Sequence, residues 1–185
     1  MMKIAYIGWG SLIWNPGSLR IMGSWQDDGP IFPVEFARVS KDGRLTLVLY
    51  RGASPMQTFW SLAADEDKNA AIKCLKLRER TIKDRIGYLS IRNGNSRCQI
   101  IGELVEVIES WLRYKDLDAA VWTDLPSNFA EKTGMVFSTK NAIRYLKRLE
   151  RDRRDSAKDY IIKAPAIINT PVRLAVEEEL GWKRA

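Results

Sequence analysis

Residues 3–17 read Lys3-Ile4-Ala5-Tyr6-Ile7-Gly8-Trp9-Gly10-Ser11-Leu12-Ile13-Trp14-Asn15-Pro16-Gly17. The opening five are a short apolar run rich in strand formers, closed by Gly8, and read as a buried first strand. Residues 9–18 then carry Gly10, Ser11, Asn15, Pro16 and Gly17, the chemistry of a structured loop. Glycines at this place let the backbone approach a ligand and turn successive N–H groups toward one oxygen, a nest for a carboxylate or a developing oxyanion. The plain alternative is an ordinary strand-to-loop turn. A dinucleotide fingerprint is not present, because the helix-opening third glycine is missing.

Working outward, residues 23–33 contain Asp27-Asp28-Gly29-Pro30 and read as an exposed turn. Residues 34–50 give a hairpin: apolar Val34 and Phe36 alternate with Glu35 and Ala37, Asp42-Gly43 supplies the turn, and Leu45, Leu47 and Leu49 share one face of the return strand. Residues 57–63 read as a further strand. Asp65 reads as the N-cap of a helix reaching about Arg80. Residues 99–107 read as a strand with Glu103 and Glu106 on opposite faces, and 119–122 as a shorter one. Ser138 or Thr139 caps a helix reaching about Asp155. Residues 159–163 form a short helix that ends near Pro165. Thr170-Pro171 opens a last helix that stops at Gly181. The fold class is therefore α+β. The 185 residues suit one domain, with 138–185 as a helical C-terminal extension.

The chain has no histidine. That removes Ser-His and Cys-His nucleophiles, His general bases and His metal ligands, and leaves acid–base chemistry to Asp, Glu, Lys, Tyr or Cys. Cys74 and Cys98 lack ligand-like spacing and read as free thiols of a reducing cytosol. Residues 4–14 are too short and too rich in Gly and Trp for a secretory signal, and no run approaches the ~18 apolar residues of a membrane span. The expectation is a soluble, cytoplasmic protein. Seven Trp residues are many for this length, and some are expected to line a cavity or interface. The net charge of +7 attracts anions without deciding the fold.

At about 100° per residue, Ile72, Leu75, Glu79 and Ile82 share one stripe of the first helix, with Glu79 about 20° from Ile72. A carboxylate on an inward face loses solvation and its pKa rises, which suits a general base facing an amine. The alternative is a surface Glu79 paired with Arg78, Arg80 or Lys83. Ser11 as a hydrolytic nucleophile has no partner base, and Glu103 is the reserve carboxylate.

Three segments resemble one family. The stretch Tyr6-Ile7-Gly8-Trp9-Gly10-Ser11-Leu12-Ile13-Trp14-Asn15-Pro16-Gly17 is similar to the opening signature of the ChaC-like branch of the gamma-glutamylcyclotransferase superfamily. Tyr50-Arg51-Gly52 followed by Pro55 resembles that branch's RGT-x-x-x-PG region, and Leu75-Lys76-Leu77-Arg78-Glu79-Arg80 its YLxxRE segment. The order and spacing of all three agree, and the resemblance covers residues 3–107. It implies a small distorted β-barrel or mixed sheet flanked by helices, with no cofactor and no metal. It implies Glu79 as the catalytic acid/base and Tyr6, Trp9, Gly10, Ser11, Leu12 and Arg51 as substrate-binding positions. The partner it implies is a small-molecule gamma-glutamyl compound, from which an amine, amino acid or peptide is released with formation of 5-oxoproline. Trp9 replaces the family's usual Tyr, Tyr50 a frequent His, and Ala53 the Thr, so glutathione is not singled out as substrate.

Two other readings stand beside this one. The first is a non-catalytic small-molecule-binding module of the same fold. The second is a basic nucleic-acid-binding protein using Arg144, Lys147, Arg148, Arg151, Arg153 and Arg154. Glu150, Asp152 and Asp155 interrupt that run, which favours a solvated face over a nucleic-acid partner.

Overall fold

Strand β1 (Ile4–Gly8) has all five residues buried, as its uninterrupted apolar sequence requires. The computed structural model describes residues 1–183, so residues 184 and 185 of the expected extension lie outside the described part. β1 lies inside a six-stranded mixed sheet. Its partners are β6 (Phe59–Ala63), antiparallel, and β9 (Ala119–Thr123), parallel. With β2 (Ile21–Gln26), β7 (Ile86–Ser90) and β8 (Ser96–Arg97) the order is β2-β6-β1-β9-β7-β8. The sheet is thus open, with β2 and β8 at its edges. Helix α1 (Lys68–Glu79) packs on β9 and β7, and α2 (Leu104–Tyr114) packs on the same two strands. The core under α1 joins Ile4, Tyr6, Leu12, Ile72, Leu75 and Val121. The protein is α+β. Among the described residues, no helix is long and apolar enough to cross a membrane.

Met1–Phe32 and Gln57–Leu125 form one compact unit, and Pro33–Met56 with the chain from Pro126 onward forms a second. The helices expected as an extension from 138 therefore fold together with the hairpin. β3 (Ile31–Val39), which belongs to that second unit from Pro33 onward, pairs with β4 (Leu45–Leu49), and β5 (Pro55–Gln57) completes a three-stranded sheet in the order β4-β3-β5. Gly43 makes the turn at φ 86°, and Tyr145 donates to its carbonyl at 2.7 Å. The remaining helices are α3 (Phe129–Thr133), α4 (Thr139–Arg148), α5 (Arg151–Lys163) and α6 (Pro171–Leu180). Thr170 caps α6, accepting from the Arg173 amide at 3.3 Å. The buried Glu35 carboxylate accepts from the Val172 amide at 3.4 Å.

The structure corrects several expectations. The helix α1 is capped by Asp67, which accepts from the Ala70 amide at 2.8 Å, whereas Asp65 is buried against Arg20 at 3.1 Å. Residues 99–107 are not a strand. Leu104, Ile108, Trp111 and Leu112 are the buried residues of α2, a helical stripe of which a window ending at 107 contains only Leu104. The reserve carboxylate Glu103 is an exposed residue at the start of that helix. Strand β2 occupies part of the expected exposed turn. It is an edge strand with a register irregularity and mostly exposed side chains, so it lacks the apolar alternation that marks a strand. The single helix expected over 138–155 is two, because Leu149 and Glu150 are extended, at ψ 138° and 155°.

Candidate active site around Glu79

The loop after β1 winds through one helical turn. The Ile13 amide donates to Gly10 at 3.0 Å and the Asn15 amide to Ser11 at 2.9 Å. Such a turn leaves its first amides without a partner inside it. The Ser11 and Leu12 amides donate no hydrogen bond to another described residue. The loop is anchored from below: Leu12 lies in the core of the first unit. Trp9 is buried, with its ring edge-on to Phe32 at 5.8 Å. Gly8 is required for the strand to pass under the Trp25 ring, since a Cβ there would lie 3.1 Å from it.

Glu79 is the last residue of α1. Arg80 leaves the helix in the left-handed region at φ 50°, with its amide bonded to Leu77 and the Thr81 amide bonded to Lys76. This is the Schellman arrangement, which glycine normally occupies. Because the helix stops there, Ile82 lies beyond it and is exposed, contrary to the expected stripe. Ile72 and Leu75 are buried as expected.

The Arg78 guanidinium ties the loop to the carboxylate. One of its nitrogens donates to Glu79 Oε1 at 2.7 Å. The other donates to Ser11 Oγ at 3.2 Å and to the Asn15 carbonyl at 2.5 Å. The guanidinium is planar and rigid, so Glu79 and the Gly10–Asn15 turn are held at the two sides of one small group. The alternative pairing of Glu79 with Arg78 is therefore real, but not at the surface: the two side chains are only 16% and 14% exposed. Burial pushes the Glu79 carboxyl above its ordinary value, while the charge and hydrogen bond of Arg78 pull it back. Its place at the negative end of the helix dipole also opposes ionisation. The result is a largely buried carboxylate beside the Arg78 guanidinium and a turn whose first amides donate to no other described residue. That arrangement suits proton transfer or the binding of a zwitterion.

Of the other expected site residues, Trp9, Gly10, Ser11 and Leu12 belong to this turn and its anchor. Tyr6 turns its hydroxyl to a backbone carbonyl of α1. It is fully buried, its hydroxyl donates to the Ala71 carbonyl at 3.2 Å, and burial pushes its phenol far up. The strand pattern explains this, since every side chain of β1 is covered. Arg51 lies in the second unit, exposed in the turn where the Ala53 amide bonds to Tyr50 at 3.0 Å.

Two residues were not among the site residues expected from sequence. Arg78 is one; its signal was its place beside Glu79, but its bonds to Ser11 and Asn15 span more than sixty residues. The other is Asp124, which is fully buried and accepts from the Gln99 amide at 2.6 Å. Its carboxyl is raised by burial, and its Oδ1 has no partner among the described residues. Both thiols are free. Among the described residues, no group of three or more Cys, Asp or Glu side chains could hold a metal ion. Comparison of the chain with protein-family profiles, with curated proteins and with solved structures gave no match.

Proposed function

We propose that the protein is a cofactor-free enzyme of the gamma-glutamylcyclotransferase type, which releases an amine, amino acid or peptide from a gamma-glutamyl compound and forms 5-oxoproline. One observation carries this reading: a desolvated Glu79 shares the Arg78 guanidinium with a glycine-opened turn whose Ser11 and Leu12 amides donate to no other described residue. In this reading the turn holds the glutamyl group and offers N–H donors to the oxyanion. The substrate's α-amino nitrogen attacks its own γ-carbonyl carbon, a new C–N bond closes the five-membered ring, and the old amide C–N bond breaks. Glu79 takes a proton from the substrate's ammonium, freeing the amine to attack, and gives it to the departing nitrogen; the proton then shed by the ring nitrogen passes by the same carboxylate to the released amine, which leaves as an ammonium. Reaction within one held molecule supplies much of the acceleration, up to ~7–11 kcal/mol in well-oriented cases.

The test is incubation with a panel of gamma-glutamyl amines and peptides, with 5-oxoproline as the readout. Release that Glu79→Gln abolishes is the expected result, because Gln keeps size and polarity but cannot accept the proton. Absence of release from every compound refutes the enzyme. The Arg78–Glu79 pair itself favours one alternative, a binding module without turnover. In that case Glu79→Gln weakens retention of a gamma-glutamyl compound, and no product forms with either protein.

A further inference from the structure

The net charge of +7 is not spread over the molecule. The first unit carries 13 Lys and Arg against 13 Asp and Glu, and the second 17 against 10, so the whole excess belongs to the second unit. Within that unit the basic run divides at Leu149–Glu150, where α4 ends and α5 begins. The two helices differ in kind. Helix α5 interleaves Arg151, Arg153, Arg154 and Lys158 with Asp152, Asp155 and Asp159, the make-up of a solvated face. Helix α4 has Lys140, Arg144, Lys147 and Arg148 and no acidic residue.

These four side chains line one groove of about 650 Å³, together with Thr139, Ile143 and Glu179 of α6. Glu179 is the groove's one carboxylate, and it is committed to Lys147 at 2.6 Å. Among the described residues, Lys140, Arg144 and Arg148 form no ion pair with a carboxylate, and all three are exposed. Lys140, Arg144 and Arg148 fall within about 80° of one another around the helix, and at ~1.5 Å of rise per residue they span about 12 Å. Lys140 sits in the first turn of α4, at the positive end of the helix dipole, where an anion rather than a cation is stabilised. Among the described residues, no carboxylate pairs with Lys140, Arg144 or Arg148 to answer that charge.

We propose that the α4–α6 groove is a phosphate-binding site that takes a row of phosphates, carried by a nucleoside polyphosphate or by a polynucleotide backbone. Lys140, Arg144 and Arg148 are its binding cations, and Ile143 and Thr139 complete its lining. This assignment does not depend on the Glu79 chemistry.

The experiment measures binding of inorganic tripolyphosphate and ATP by calorimetry, and of a fluorescein-labelled twelve-residue oligo(dT) by anisotropy, at 50 and 200 mM KCl. The proteins are the wild type, K140Q/R144Q/R148Q, R144E, and R154Q/K158Q on α5. Binding should weaken at least tenfold in the triple variant and in R144E, and should be unchanged in the α5 variant. For a single-stranded ligand with three phosphates neutralised, the logarithmic salt slope is about −2, or about twentyfold between the two salt concentrations. Tripolyphosphate or ATP binding alone identifies a small ligand. Oligo(dT) binding that tripolyphosphate displaces identifies a polynucleotide; both support the site. Three results overturn it: no binding of any probe at 50 mM KCl, equal binding by the triple variant and wild type, or equal affinity for poly-glutamate of matched charge. Circular dichroism confirms that the variants remain folded, R154Q/K158Q included, since Arg154 is half-buried over the Trp182 ring.

Discussion

Replacing Arg78 by Met removes three hydrogen bonds at once, to Glu79 Oε1, Ser11 Oγ and the Asn15 carbonyl. A hydrogen bond to a charged group contributes ~1.5–3 kcal/mol. Some of that is recovered by water and by Met packing, so the loss at pH 8 should be about 3 kcal/mol. The loss should also depend on pH, and the sign follows from Glu79. Burial raises its carboxyl above the ordinary 4.5 and Arg78 opposes the rise, so removing Arg78 raises it further. A carboxyl with a raised folded-state value stabilises the fold fully below its unfolded value and loses that contribution as pH climbs through the folded value. At pH 4, below the raised folded-state value, Glu79 is mostly protonated and its bond from Arg78 counts for little, so the loss is mainly of the bonds to Ser11 and Asn15. The deficit should then fall to about 1.5 kcal/mol. Urea unfolding of wild type and Arg78→Met at both pH values gives the two differences, and titration of the Glu79 carboxyl carbon by ¹³C NMR reports its protonation directly. A deficit that is the same at pH 4 and pH 8, with an unmoved Glu79 titration, would falsify the coupling of the turn to the carboxylate through Arg78.

Other outcomes follow from particular contacts. Arg80→Gly should stabilise by about 1 kcal/mol, because Arg80 holds φ 50° where glycine has no steric penalty; a higher urea midpoint checks it. Gly87→Ala should destabilise by about 3 kcal/mol through overpacking, since the added Cβ would fall 2.2 Å from the buried Trp122 ring. Gly102→Ala, with nothing within 4 Å, should change the midpoint by a few tenths of a kcal/mol at most. Glu35→Ala leaves the Phe36 and Val172 amides without their acceptor and should cost about 2–3 kcal/mol. Because burial raises the Glu35 carboxyl, its contribution is fullest below the ordinary carboxylate value, and the deficit should shrink between pH 4 and pH 8.

Local chemistry in the chain was sufficient for some of this architecture. The apolar run before Gly8, the alternation around Asp42-Gly43, and Thr170-Pro171 with Gly181 each describe an element whose stability is decided by near neighbours. β1, the hairpin and α6 follow from them. The helical position of Glu79 was also legible, because burial of Ile72 and Leu75 follows from a 3.6-residue period. Tertiary structure alone decided the rest. Strand β7 contains Gly87, which weakens its strand signal, and the reason for that glycine is a Trp122 ring supplied from another strand. The division of the basic run into α4 and α5 has no Gly or Pro to announce it. The link from Arg78 to Ser11 and Asn15 joins residues that only the packing of α1 beside the β1 loop brings within reach. A periodic pattern fixes which way a side chain faces from its own element. Which partner it meets depends on contacts distant in sequence, and those set both the desolvation of Glu79 and the cation that opposes it.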